Sequence, residues 1–172
     1  MGILTQSLQL EREKRSPLRR HRFAFLLILI IAAAILRSAI ATRLDGFTID
    51  EPYHITAGVA YVKLRDYRIN PEHPPLVKLW VGSGLSLSGF QLGPLRVFHD
   101  KPEERSFTAN TVFRQNNPDS VQRRARIAMW TLNGLLLLAL ALALLRCFGE
   151  SVSLGTLLFL AIDPTVAAHC RS

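Results

Sequence analysis

Two adjacent carboxylates, Asp50 and Glu51, are the residues of this sequence best suited to acid–base chemistry. They come nine residues after the end of an apolar segment and are followed directly by a proline. A carboxylate is ionised near neutral pH and can accept a proton from a hydroxyl group within hydrogen-bond reach. Composition alone favours the alternative that both acids only cap a helix and complement its dipole. Their position next to an apolar segment favours a role in acid–base chemistry, because a carboxylate there could meet a substrate at the membrane surface.

A second candidate pair, Glu72 and His73, lies inside residues 70–76, which read NPEHPPL. Three prolines fix φ in this segment and force their predecessors into extended geometry, so the two side chains are held in set directions. His73 is a candidate contact for a substrate or a metal ion. The alternative, that the segment is a rigid lead-in to the next helix, stays open.

Three arginines, Arg123, Arg124 and Arg126, precede a leucine-rich stretch. A guanidinium group suits phosphate because its planar fork donates two parallel hydrogen bonds. These side chains are therefore candidates for stabilising the charge that develops on a phosphate leaving group. The alternative is contact with lipid headgroups.

Apolar blocks separate these candidate residues, in the pattern of a membrane protein. The 172 residues are 49% hydrophobic, with a mean hydropathy of +0.20, and most of the apolar residues fall in three stretches. At 1.5 Å per residue, residues 23–41 are just long enough to cross about 30 Å of hydrocarbon. Residues 125–145 and 152–169 are the second and third predicted spans. The pattern excludes a water-soluble globule.

The charge distribution predicts how these spans are oriented. Residues 11–22 contain six Lys or Arg against two Glu, so the positive-inside rule places the basic tail, residues 1–22, in the cytoplasm. Residues 42–124 then form an outer loop, and residues 146–151 form a cytoplasmic turn. A cleaved signal peptide is the alternative for the first span, but its apolar core is long and its cleavage match is weak.

Residues 76–95 are the only apolar part of the predicted outer loop. Glycines, prolines and serines interrupt them, so a helix at the membrane surface is favoured over a full crossing. The three arginines before the second span lie outside in this topology, against the charge rule, unless a ligand is bound there.

The composition also bears on partners and cofactors. The net charge of +8 suggests nucleic-acid binding, but no basic stripe is interleaved with aromatic residues and no zinc-finger spacing is present. Cys147 and Cys170 are too few for a disulfide framework or a metal site. We therefore predict membrane lipids as partners, no nucleic acid, and no assigned metal ligands.

The ordered set of motifs resembles the start of a bacterial membrane glycosyltransferase of the protein O-mannosyltransferase type, in the GT-C group. The resemblance covers roughly residues 22–172. The motifs are a basic anchor, Asp-Glu beyond the first span, YVKLRDY, PEHPPL, an arginine-rich entry to a leucine-rich span, RCFG and AIDPTVAAH.

This resemblance implies an all-α membrane protein, the N-terminal part of a GT-C multi-span fold with about three transmembrane helices and surface helices in the first outer loop. It implies transfer of a sugar from a polyprenyl-phosphate carrier to a hydroxyl acceptor at the outer face of the bacterial inner membrane. Asp50 would be the general base and Glu51 its orienting partner. Some relatives are thought to use a divalent cation, which this sequence does not establish.

Members of this family have about a dozen spans. We therefore expect the 172-residue chain to be an N-terminal fragment that is inactive alone. The alternative function is a small membrane scaffold or binding protein without catalysis.

Overall fold

The computed structural model describes residues 17–43 and 45–163, and 75% of these residues are helical, with no strand among them. The predicted all-α class is therefore confirmed for the described part of the chain. The elements, in chain order, are α1 (Pro17–Ala41), α2 (Glu51–Leu64), α3 (Pro75–Ser86), α4 (Lys101–Asn110), a π-helical segment (Thr111–Gln115), α5 (Pro118–Phe148) and α6 (Glu150–Ile162).

Two of these helices are long and apolar enough to cross a membrane, the Arg19–Ala41 part of α1 and the whole of α5. Only 11% of the most apolar window of each is buried inside the structure. A core helix of a soluble protein would be mostly buried, because its apolar side chains need cover from water. The two helices thus suggest association with a membrane.

The three longest apolar segments form an up-down-up bundle. Arg19, near the start of α1, forms an ion pair of 2.9 Å with Glu150 at the start of α6. Arg37, near the end of α1, donates hydrogen bonds of 2.7 and 2.9 Å to the carbonyls of Ala161 and Ile162 at the end of α6. Helices α1 and α6 therefore run in the same direction.

Helix α5 runs in the opposite direction to its two neighbours. Leu27 of α1 packs with Ala141 of α5 in one buried cluster. Closer to the end of α1, Ile35 approaches Gly134 so closely that a Cβ built on the glycine would lie 3.0 Å from Ile35 Cδ1. The three helices therefore alternate in direction along the bundle.

The break between α5 and α6 is a single residue, Gly149, in place of a turn over residues 146–151. Its φ of 91° lies in the left-handed region that favours glycine. Helix α6 has 13 residues and a length of about 20 Å, shorter than the predicted third span. It ends because Asp163 precedes Pro164 and adopts a ψ of 121°. Positions 164–169 of the predicted span lie outside the described residues.

The predicted outer loop is a folded helical unit between the end of α1 and the start of α5. Its main core joins α2, α3, the π-helical segment and the first turn of α5. The buried side chains of this core are Ile55, Val59, Val81, Leu85, Phe90, Val112 and Val121. A second cluster, Ala57, Ala60, Tyr61 and Ile69, lies on the other side of α2.

Helix α3 has 12 residues and is about 18 Å long, ending at Ser86. A continuous helical crossing over residues 76–95 is therefore not formed. Helix α5 begins at Pro118, before the predicted start of the second span at residue 125. The side chain of Asn117 caps it by accepting a 3.0 Å hydrogen bond from Ser120 N–H.

Candidate functional site

A cleft of about 590 Å³ lies where the first turns of α2 and α3 face the N-terminal half of α5. We call it the α2–α3–α5 cleft. It is at the end of the bundle where α1 finishes and α5 begins. Its polar lining residues are Thr48, Asp50, Glu51, His54, His73, Lys78, Gln122 and Arg126. Its apolar walls are Phe47, Ile55, Pro74, Val77, Val81, Ala125, Met129 and Trp130.

Asp50 lies at the N-cap position of α2, but its side chain makes no capping hydrogen bond. Pro52 occupies the first turn, where its missing N–H costs no helical hydrogen bond. The Asp50 side chain is exposed at the cleft and has no role in closing the helix. Asp50 therefore does not cap α2 through its side chain.

Glu51 is held more firmly than its neighbour. Its Oε2 atom accepts a 3.1 Å hydrogen bond from the N–H of Thr48. Burial raises the pKa of the Glu51 carboxyl above its usual value, while the Thr48 hydrogen bond and the charge of Arg126 act in the opposite direction. The half-buried carboxylate ties the loop before α2 to the helix start.

His54 and His73 form a ring pair in the cleft, with centroids 5.2 Å apart and an interplanar angle of 68°. The Nδ2 atom of Asn70 lies 3.3 Å from His54 Nδ1. Because Asn Nδ2 can only donate, this hydrogen bond requires an unprotonated Nδ1. Burial, followed by the charges of Lys78 and His73, lowers the pKa of His54, and Asp50 opposes this shift. Both observations favour a neutral His54.

Lys78 is a buried cation in the wall of the cleft, with 2% of its surface exposed. Its Nζ donates to the Tyr61 hydroxyl at 3.3 Å, to the His73 carbonyl at 3.1 Å, and to the Asn70 carbonyl. Burial lowers the pKa of the Lys78 ammonium group. The hydrogen bonds from Lys78 Nζ to the carbonyls of Asn70 and His73 hold the proline-rich segment 70–76 against α3 and so place His73 at the cleft.

Of the three predicted phosphate-binding arginines, the cleft contains only Arg126. Its Nη1 donates to the Thr42 carbonyl at 2.5 Å and its Nη2 to the Asp45 carbonyl at 2.6 Å. Its Nε is buried and has no hydrogen-bond partner within the described residues. Arg126 therefore fastens α5 to the connection between α1 and α2, and one of its donors is still unused.

The other two arginines point elsewhere. Arg124 Nη1 donates to the Ser88 carbonyl at 2.6 Å on a different face of α5. Arg123 is exposed beside a smaller depression of about 210 Å³ between the ends of α1 and α5. The structure does not bring either of them to the two carboxylates.

Glu72 also lies apart from the cleft. It is exposed and forms a 2.7 Å ion pair with Lys101, and this hydrogen bond lowers the pKa of Glu72. Lys101 contacts Glu104 at 3.0 Å, and Glu104 in turn accepts a 2.7 Å hydrogen bond from Asn70 N–H. The Glu72 side chain belongs to a network that braces the proline-rich segment.

Two titratable cleft residues were missed in the sequence, His54 and Lys78. Helical spacing provides a signal for His54, which follows Asp50 by four positions and so lies on the same side of the helix start. Lys78 has no such signal, because His73 precedes α3 and the separation of five positions does not place two residues on one helix face. Trp130, at the inner end of the cleft, carries no sequence signal that separates it from an ordinary residue of a membrane helix.

The cleft combines an exposed carboxylate, two cations and an apolar wall next to a membrane-length helix. These groups suit a ligand with a hydroxyl or anionic part and an apolar part. Across residues 17–43 and 45–163, no group of three or more His, Cys, Asp or Glu is arranged to hold a metal ion. No protein-family model, curated protein or solved structure matches this chain.

Proposed function

We propose that this chain forms part of the catalytic site of a membrane glycosyltransferase that takes a sugar from a polyprenyl-phosphate carrier and transfers it to a hydroxyl acceptor. One observation supports this proposal best. Asp50 and Glu51, His73, and Arg126 come from three separate parts of the sequence and line one cleft at the end of two membrane-length helices. These are four of the seven site residues predicted from the sequence.

In the proposed reaction, Asp50 is the general base. The acceptor oxygen attacks the anomeric carbon of the sugar while the Asp50 carboxylate takes the hydroxyl proton. The bond between the anomeric carbon and the phosphate oxygen breaks, its electron pair goes to the phosphate, and polyprenyl phosphate leaves with inversion at the anomeric carbon. The exposure of Asp50 and its lack of a capping hydrogen bond support this role, because a base must reach a bound hydroxyl.

Arg126 is the cation best placed to offset the charge of the leaving phosphate. Two of its nitrogens are occupied by carbonyl groups, which fix the guanidinium at the cleft before any substrate arrives. A preorganised charge of this kind stabilises developing negative charge without reorganisation. Lys78 adds positive charge from the cleft wall, while its own donors are used by the chain.

The proposed location is the outer face of a bacterial inner membrane, with the N-terminus in the cytoplasm. A polyprenyl carrier has its isoprenoid chain in the bilayer and its phosphate at the surface. The cleft is bounded by the N-terminal half of α5, and the same helix continues into an apolar stretch without polar residues at positions 135–145. This arrangement would place the carrier phosphate and Asp50 at the same depth relative to the bilayer surface.

The test compares Asp50→Asn with Asp45→Asn, each introduced at the gene's own locus so that every other part of the enzyme is present. Asp45 is the matched control, because it is an exposed acid of the same connection whose side chain does not line the cleft. Transfer of labelled sugar from polyprenyl-phosphate donors is measured in isolated membranes.

We expect Asp50→Asn to reduce transfer by roughly 100-fold or more, the range of a lost general base, and Asp45→Asn to retain it. Transfer at the wild-type rate in Asp50→Asn membranes would refute the catalytic proposal. That result would favour the non-catalytic scaffold or binding protein.

A further inference from the structure

We propose that a groove between α3 and α5 binds an anionic phospholipid of the surrounding bilayer. The groove has a volume of about 450 Å³ and shares no lining residue with the α2–α3–α5 cleft. We call it the α3–α5 groove. It is lined by Trp80, Ser83, Gly84, Leu87, Ser88, Arg124, Ile127, Ala128 and Thr131. The proposal does not depend on the proposed catalytic function.

The spacing of the lining residues shows that one face of each helix forms this groove. Positions 80, 83 and 84 of α3 and its C-cap residue Leu87, together with positions 124, 127, 128 and 131 of α5, recur at intervals of three and four. Trp80 Nε1 donates a 2.8 Å hydrogen bond to the Ala128 carbonyl. A Cβ built on Gly84 would lie 3.8 Å from Ala128 Cβ. The small residues Gly84 and Ala128 therefore form the floor.

Large apolar side chains around the groove have no cover in the described part of the chain. Leu87 is 91% exposed, Ile127 46% and Trp80 38%. Thr131 lies four residues, or about 6 Å, before the uninterrupted apolar stretch that starts at Leu135. The apolar end of the groove thus opens beside the segment suited to hydrocarbon, and an acyl chain is the occupant that would cover these side chains.

Arg124 supplies the charge that makes an anionic lipid the preferred occupant. It lies seven residues, or about 10 Å, before Thr131 on the same face of α5. Among residues 17–43 and 45–163, its one hydrogen-bond acceptor is the Ser88 carbonyl, which uses one of its five N–H donors. The remaining donors suit a phosphate oxygen. Trp80 adds an amphipathic ring, the kind of side chain that is enriched at the membrane interface.

The test uses the fluorescence of Trp80. The chain contains two tryptophans, Trp80 and Trp130, so Trp130→Phe leaves the groove tryptophan alone. The variant is placed in phosphatidylcholine nanodiscs that contain the same small fraction of acyl-brominated phosphatidylglycerol or acyl-brominated phosphatidylcholine. Bromine quenches tryptophan at short range, so quenching reports an acyl chain in the groove.

We expect brominated phosphatidylglycerol to quench Trp80 more strongly than brominated phosphatidylcholine at equal fraction. Arg124→Gln should weaken the apparent affinity for phosphatidylglycerol by about fivefold, the effect of one arginine near an anionic surface. Arg123→Gln is the matched control and should keep the preference, since Arg123 does not line the groove. Thr131→Phe should fill the groove and reduce quenching by both lipids.

Equal quenching by the two brominated lipids with Arg124 present would overturn the proposal, as would an unchanged preference in Arg124→Gln. Relief of quenching by unlabelled polyprenyl phosphate but not by unlabelled phosphatidylglycerol would assign the groove to the carrier lipid and would also overturn it. Far-UV circular dichroism verifies that each variant is folded. Asp50→Asn should leave quenching unchanged, which separates this test from that of the proposed function.

Discussion

Gly58 and Gly82 meet where α2 crosses α3, so closely that a Cβ built on Gly82 would lie 2.1 Å from the carbonyl carbon of Gly58. A Cβ on Gly58 would lie 2.1 Å from the Lys78 carbonyl oxygen. Glycine in a helix interior costs roughly 1 kcal/mol relative to alanine. Here it permits backbone contact between the helix that carries Asp50 and the helix that carries Lys78.

Gly82→Ala should therefore destabilise the protein by roughly 1–3 kcal/mol, because the added methyl meets backbone that cannot move without separating the helices. Thermal unfolding in detergent measures the change. Gly155→Ala is the control, since nothing lies within 4 Å of a Cβ built at this helical position. It should be neutral or slightly stabilising. Equal stability of wild type and Gly82→Ala would contradict the tight crossing.

Lys78→Met should loosen the proline-rich segment 70–76. The substitution keeps an unbranched apolar side chain but leaves the His73 carbonyl without its donor and removes one of the two donors to the Asn70 carbonyl, the other being the Tyr61 hydroxyl. Such a loss costs about 1–3 kcal/mol. Hydrogen exchange should accelerate in the segment.

Lys63→Met is the matched control for this experiment, because Lys63 also donates to a carbonyl, at 2.6 Å, but to Phe90. Its effect should be confined to the region around residue 90. Equal protection of the segment 70–76 in wild type and Lys78→Met would show that the prolines alone hold it.

Acidification should destabilise the cleft through His54. The pKa of His54 is lowered in the folded state, so the unfolded chain takes up a proton first as the pH falls below about 6.5. The stabilising contribution of neutral His54, fully present above about pH 6.5, therefore decreases as the pH falls from about 6.5 to the pKa of His54 in the folded protein. One proton sets a limit of about 1.4 kcal/mol per pH unit, and partial solvent exposure reduces it.

His54→Gln should reduce the dependence of folding stability on pH in this range. Unfolding midpoints measured between pH 7.5 and pH 5 compare the two proteins, with His99→Gln as a control outside the cleft. Parallel profiles of wild type and His54→Gln would contradict the assignment of a neutral, half-buried imidazole.

The contribution of Glu51 to folding stability should depend on pH in the direction opposite to that of His54, and Glu51→Gln tests this. Burial raises the pKa of the Glu51 carboxyl in the folded state, so its favourable contribution is fully present below about pH 4.5 and is lost as the pH rises through the folded value. The glutamine amide oxygen can still accept from Thr48 N–H. At pH 7 the variant should be more stable by a few tenths of a kcal/mol after solvent screening.

The extra stability of Glu51→Gln over wild type should vanish at pH 4, where the side chain at position 51 is largely neutral in both proteins. Denaturant unfolding at the two pH values measures the difference. A variant that is less stable than wild type at pH 7 would show that the negative charge of Glu51 stabilises the fold.

The sequence predicted the helical class and the two membrane-length helices because each depends on a continuous local pattern. An apolar run of this length has few possible structures other than a membrane-spanning helix, and it can be recognised without knowing which segments pack against it. Helix boundaries were less accurate. Helix α5 extends back to Pro118 through charged residues, where Asn117 provides the cap, and polar residues in an exposed helical turn give no apolar periodicity to detect.

The candidate site was predicted only in part, since membership of a cleft depends on packing between distant segments. Arg123, Arg124 and Arg126 are equivalent in composition, yet a helical rotation of 100° per residue sends them to different surfaces. Only Arg126 reaches the cleft.

From the order of its residues, then, the chain specifies which segments are apolar, where prolines stiffen it and where carboxylates follow a membrane-length segment, because these are local properties. Only the tertiary structure decided that Asp50, His54, His73 and Arg126 share a cleft and that Glu72 does not. Their convergence depends on the contact of Gly58 with Gly82 and on the hydrogen bonds of Arg126 to the end of α1, which are long-range contacts that no local pattern encodes.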